Sequence, residues 1–133
     1  MQALVLYLTA LVVFLVGDAI WLGVIAKQFY REQLGALMAE QVRWGAAALF
    51  YALYLVGILV FCVLPHLEKT NGWIVLGYGA FFGLICYATY DLTNLATLRG
   101  FPTVVAIVDL CWGAVITGVT AWATWWVGHR WMS

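Results

Sequence analysis

The chain has 133 residues and no net charge, with six basic and six acidic side chains making up 9% of it and hydrophobic residues 66%. A soluble domain keeps about a quarter of its residues charged to wet its surface, so this chain must set apolar surface against a lipid bilayer. It carries no basic or acidic run, which excludes nucleic acid as a partner.

A crossing helix needs about 20 apolar residues, and the unpaired backbone of a lone strand is too costly in hydrocarbon. The first stretch of that length runs from about Ala3 to Ala26. No basic region precedes it and no cleavage pattern interrupts it, so it is expected to be a retained span rather than a signal peptide. Between Lys27 and Arg43, the residues Tyr30, Leu34, Leu37, Met38 and Gln41 fall at helical spacing. Gln28, Arg31, Glu32 and Gln33 occupy the other faces. That pattern predicts a short amphipathic helix lying in the membrane interface. The second span runs from about Trp44 to Leu64 and ends at Pro65, and His66 to Asn71 forms a polar turn. The third runs from about Gly72 to Leu95, and Ala96 to Pro102 connects it to the fourth, from about Thr103 to Val127. Pro102 is well placed to start that last helix. The expected fold class is all-α: an integral membrane four-helix bundle, one transmembrane domain over residues 1–133, with an interfacial helix between spans one and two.

Basic residues near span ends set the orientation. Lys27, Arg31, Arg43 and Arg99 lie on one side, and Lys69 and Arg130 on the other. The first side is therefore expected to be cytoplasmic and both termini external. Of eight tryptophans, Trp73, Trp122, Trp125, Trp126 and Trp131 lie toward the outer ends and Trp44 toward the inner, as interfacial anchors do. Cys62, Cys86 and Cys111 sit singly in apolar runs with no C-x-x-C pair, and read as small buried apolar side chains.

Three aspartates stand inside the predicted spans. A charged Asp at a helix centre costs about 2.5–3.5 kcal/mol on the insertion scale, so three need a cause. At 1.5 Å per residue, Asp18 lies about 12 Å, Asp91 about 6 Å and Asp109 about 9 Å from the inner ends of spans one, three and four. The helices alternate in direction, yet the carboxyls share one layer. Trp21, Asn94 and Trp112 each follow one of these aspartates by three residues, on the same helical face. Each indole N–H is thereby a candidate donor to its own neighbouring carboxyl. Tyr87, Tyr90 and Thr93 add hydroxyls around Asp91. In span three, Gly79, Gly83, Tyr87 and Asp91 recur every four residues, and Asp109, Gly113 and Thr117 form a matching stripe in span four. Glycines at that spacing let helices approach closely, so both stripes are expected to face the interior. One such aspartate reads as structural, tied to Arg99 or Arg43 or held protonated. Three together point to a ligand or ion site, with at least one protonated or paired with a cation.

No catalytic set is identified. No histidine lies within a span, which argues against a paired-histidine haem and against Ser–His–Asp chemistry. No cofactor is expected, although oxygen-only ligands suit a hard cation such as Mg²⁺, Ca²⁺ or Na⁺.

The run Tyr90-Asp91-Leu92-Thr93-Asn94-Leu95-Ala96-Thr97-Leu98-Arg99-Gly100-Phe101-Pro102 resembles a family of small bacterial membrane proteins, domain of unknown function 2177. Gly17-Asp18-Ala19-Ile20-Trp21-Leu22-Gly23 and Val108-Asp109-Leu110-Cys111-Trp112-Gly113 fit the same resemblance, which covers essentially the whole chain. It implies a four-span protein of the bacterial inner membrane, which would make both termini periplasmic, and it implies no activity. Three functions follow from the residues. The first is a small transporter or ion- and ligand-binding protein acting as a homodimer, with Asp18, Asp91 and Asp109 binding protons or a cation. The second is a non-catalytic subunit or assembly factor. The third is a membrane-embedded lipid-modifying enzyme in which Arg43 and Arg99 hold a phosphate and an Asp acts as general acid or base.

Overall fold

Uniform apolarity, rather than a single apolar stripe, is what the first helix offers: it meets lipid on one side and protein on the other. The computed structural model describes residues 2–35, 43–68 and 71–132. Helix α1 spans Gln2–Ile20 and continues as one π turn, Trp21–Ile25, closed by the Ala26 N–H on the Trp21 carbonyl at 2.7 Å. Helix α2 is Lys27–Leu34. Helix α3 is Trp44–Ile58, followed by a second π turn, Leu59–Val63, and a 3₁₀ turn, Leu64–His66. Pro65 has no N–H for the helical ladder, and the helix ends in these looser turns around it. Helix α4 is Gly72–Thr97, opened by the Asn71 side chain, which accepts from the Trp73 N–H at 3.0 Å. Helix α5 is Thr103–Met132. Between α4 and α5 the chain turns at Gly100, whose φ of +79° favours glycine.

Four helical stretches are long and apolar enough to cross a membrane: Gln2–Ile25, Trp44–His66, Gly72–Thr97 and Thr103–Trp131. The fourth, at 29 residues, is about 44 Å long against a hydrocarbon core of about 30 Å. It must tilt or project into a headgroup layer. The protein is an all-α, multi-pass membrane bundle. Of the predicted interfacial helix, Lys27–Leu34 is helical, whereas Leu37, Met38 and Gln41 lie outside the described residues.

The closest helix pair is α4 with α5, and its contact is built from small residues. A Cβ on Gly79 would stand 2.9 Å from the Gly118 Cα and 2.8 Å from the Ala121 Cβ. One on Gly83 would collide with the Gly113 carbonyl and the Thr117 side chain. One on Gly113 would enter the Tyr87 ring. The two backbones can meet only because these side chains are absent. Helix α1 packs on the other side of α5 through Leu6, Ala10 and Phe14, all fully buried. Helix α3 closes the core with Tyr54, Leu55, Ile58 and Cys62. Thr117, Thr120 and Thr124 are buried along α5, and the Thr117 hydroxyl shares a hydrogen bond with the Tyr54 phenol. Of the three cysteines, Cys62 is buried, Cys86 half-buried and Cys111 exposed, so the expectation of small buried apolar groups does not hold at Cys111.

Candidate functional site

The glycine contact between α4 and α5 leads directly to a polar group at one end of the bundle. Asp91 lies two turns beyond Gly83 on α4, and Asp109 one turn before Gly113 on α5. Asp91 is fully buried, and among the described residues neither of its carboxyl oxygens has a hydrogen-bond partner. The Asp109 carboxyl stands beside it. Two carboxylates offer each other only acceptors, so a proton or a cation is required to join them.

Asp109 and Asp18 are better provided for, through helices distant in sequence. The Tyr30 hydroxyl of α2 donates to Asp109 Oδ1 at 2.8 Å and accepts from Trp21 Nε1 at 3.2 Å. Asp18 accepts from Trp112 Nε1 at 3.4 Å on Oδ1 and from the Tyr51 hydroxyl at 3.3 Å on Oδ2. The indoles of Trp21 and Trp112 stack with centroids 4.6 Å apart and planes within 6°. That stack joins the Tyr51–Asp18–Trp112 chain to the Trp21–Tyr30–Asp109 chain. The donor arrangement differs from the sequence expectation. Neither indole serves the aspartate three residues before it on its own helix. Trp112 crosses from α5 to α1, and Trp21 turns to Tyr30. A donor on a neighbouring helix can point along the carboxylate lone pairs, whereas a same-face neighbour lies alongside them.

Helix α2 docks its apolar face on the bundle. Phe29, Tyr30 and Leu34 pack against a second apolar cluster of Phe101, Val105 and Ala106, which carries the Tyr30 phenol beneath the bundle. Burial pushes that phenol well above its ordinary value near 10, so it remains a hydrogen-bond donor at neutral pH. Together these elements enclose a cleft of about 220 Å³ lined by Leu22, Tyr30, Leu34, Tyr90, Asp91, Val105 and Asp109.

The other residues expected at the site are placed as follows. Tyr90 lines the cleft, and its hydroxyl interacts with the Asn94 side chain on the next turn. Tyr87 lies deeper, against Gly113 and 6.4 Å from the Tyr54 ring. Thr93 is exposed, with its carbonyl accepting from the Thr97 hydroxyl. Arg99 is exposed in the α4–α5 turn. The structural alternative, in which Asp91 is tied to Arg43 or Arg99, is not found, since its oxygens accept from neither. Among the described residues no three His, Cys, Asp or Glu side chains come together to hold a metal ion. Three cleft residues, Leu22, Leu34 and Val105, were not singled out from sequence as site residues, and Tyr30 was read only as part of an amphipathic face. The signal for Tyr30 was that face itself, an apolar stripe with a phenol in it.

The chain belongs to the family described as predicted membrane protein, domain of unknown function 2177, whose model matches residues 3–126. No curated protein and no solved structure matches the chain.

Proposed function

We propose that this protein is a small ion-coupled carrier whose exchangeable site is the Asp91–Asp109 pair, holding one shared proton when no other cation is bound. The observation that carries this reading is Asp91: a carboxyl with no exposure in an apolar span, both oxygens unpartnered, at the floor of a cleft. An isolated buried carboxylate is expensive, and intramembrane carboxyls that persist commonly bind protons or substrates. Asp18, held by Tyr51 and Trp112, and Asp109, held by Tyr30, fix the shape of the site around it. Two carboxyls and a phenol supply fewer oxygens than the roughly six to eight that Ca²⁺ takes, which favours a proton or a monovalent cation over a divalent ion. The excess of basic residues beside α2 and Gly100 supports placing the site under the cytoplasmic leaflet of a bacterial inner membrane, with periplasmic termini. A homodimer fits the reading, because one cleft of about 220 Å³ does not make a path across a bilayer.

The test is movement across a sealed membrane. Proteoliposomes holding a pH-sensitive dye are given proton, sodium and potassium gradients in turn. At least one gradient is expected to change internal pH faster than in empty vesicles, and Asp91→Asn to return the rate to that of empty vesicles. Movement no faster than in empty vesicles, or undiminished in Asp91→Asn, overturns the reading.

A further inference from the structure

The cleft has a chemistry of its own beyond binding a proton. Its floor is acidic and its walls are not. The two oxygens of Asp91 are buried acceptors without donors, and a buried acceptor left unsatisfied costs about 1–3 kcal/mol, more when charged. Around them stand Leu22, Leu34 and Val105, with the rings of Tyr30 and Tyr90 completing the lining. Among the described residues no Lys or Arg lines the cleft. A ligand that satisfies this surface must bring positive charge, must bring N–H donors for Asp91, and must bring hydrocarbon for the leucine and valine walls. Size bounds it further. At about 30 Å³ per water, a cleft of about 220 Å³ holds the equivalent of roughly seven waters, below the range of drug-sized pockets.

We propose that the cleft binds a protonated primary alkylamine, its ammonium hydrogen-bonded to the two buried, unpartnered oxygens of Asp91 and its short hydrocarbon tail lying between Leu22, Leu34 and Val105. A primary ammonium carries three N–H donors on a compact charge. A quaternary ammonium carries the same charge with none, and leaves the Asp91 acceptors as empty as before. The structure thus separates two cations that charge alone does not. The proposal rests on the carrier reading above, since it names the cation exchanged at the same pair. The same chemical group is available from two sources, a free alkylamine or the headgroup of an ethanolamine phospholipid at the membrane surface.

The test is calorimetric titration of the full chain in phosphatidylcholine nanodiscs, with empty nanodiscs subtracted. The probes are n-butylammonium, tetramethylammonium and n-butanol. Saturable binding of n-butylammonium is expected, with tetramethylammonium about tenfold to a hundredfold weaker, the value of a hydrogen bond to a charged group. Binding of n-butanol is expected to be undetectable. Asp91→Asn should weaken n-butylammonium by a similar factor. From methylammonium to n-butylammonium, affinity should rise up to about fourfold per methylene. Leu22→Ala, at a half-exposed wall position, should flatten that slope. Repeating the titration in nanodiscs containing phosphatidylethanolamine identifies the source. Weaker apparent n-butylammonium binding means that the headgroup occupies the cleft, and unchanged binding means a free amine; both results support a primary ammonium site. Equal affinity for tetramethylammonium, no saturable n-butylammonium binding, or binding indifferent to Asp91→Asn overturns the proposal. If gradient-driven, Asp91-dependent movement is seen in proteoliposomes while amine binding is absent, only the choice of ligand fails. If both are absent, the carrier reading fails with it.

Discussion

At the scale of single residues, the three aspartates are not equivalent. Asp18 has a phenol and an indole, Asp109 has a phenol, and Asp91 has only its carboxylic neighbour. Tyr30 deserves the closest experimental scrutiny after Asp91, because its hydroxyl both accepts from Trp21 and donates to Asp109. Tyr30→Phe removes both bonds and leaves a half-buried indole N–H and a carboxyl oxygen unmatched. A loss of about 1–3 kcal/mol is expected, read as a lower thermal midpoint in detergent. The phenol also predicts a pH dependence. Its value is raised by burial from about 10, so below pH 10 it is protonated whether the chain is folded or not. Above that, the unfolded phenol ionises while the folded one keeps its proton, and unfolding releases a proton. The Tyr30 contribution is therefore complete below about pH 10 and is lost as pH rises through the folded value. Wild type should lose its stability advantage over Tyr30→Phe in that alkaline window, measured by parallel denaturation series. This part of the site was poorly legible in sequence. The D-x-x-W spacing suggested local pairs, and only the packed structure brings Trp112 to Asp18 and Tyr30 to Asp109 across 94 and 79 residues.

At the scale of elements, the α4–α5 contact determines where the two carboxyls stand. Gly83→Ala places a methyl against the Gly113 carbonyl and the Thr117 side chain, and backbone cannot yield as a flexible side chain does. Overpacking of this kind costs about 1–3 kcal/mol. Gly77→Ala, on the same helix, meets nothing within 4 Å and should leave stability unchanged. Thermal unfolding of the two variants in the same detergent checks the pair, and equal behaviour would remove the glycine contact from the account. This contact was legible, because small residues at four-residue spacing on both helices mark the faces that meet, and Asp91 and Asp109 continue those same stripes. The spans were legible for a similar reason: lipid demands long uninterrupted apolar runs, and Pro65, Gly100 and Pro102 punctuate them. The packing of α2 was less so. Its amphipathic pattern marks a helix with one covered face, but the residues that cover that face, Phe101 and Val105, lie far along the chain.

At the scale of the whole molecule, four crossings place the α1–α3 and α4–α5 connections on one side and the termini on the other. The excess of basic residues predicts that the connections face the cytoplasm. Single cysteines introduced at exposed Leu98 and exposed Glu68, in a chain whose native cysteines are replaced, should differ in labelling of intact cells by an impermeant thiol reagent. Labelling at position 68 alone is expected, and labelling at position 98 alone would invert the protein. The polar cleft and the shape of the bundle are linked, since the tight helix pair that organises the fold also presents Asp91 to Asp109, with no basic residue among the described residues that line the cleft.

The Asp91 and Asp109 carboxyls are expected to act as one unit. Infrared difference spectroscopy between acid and alkaline buffer, on the full chain in nanodiscs, reads carboxyl protonation directly. A protonated-carboxyl band is expected that Asp91→Asn abolishes, Asp109→Asn displaces and Asp18→Asn leaves in place. A band untouched by Asp91→Asn would contradict it.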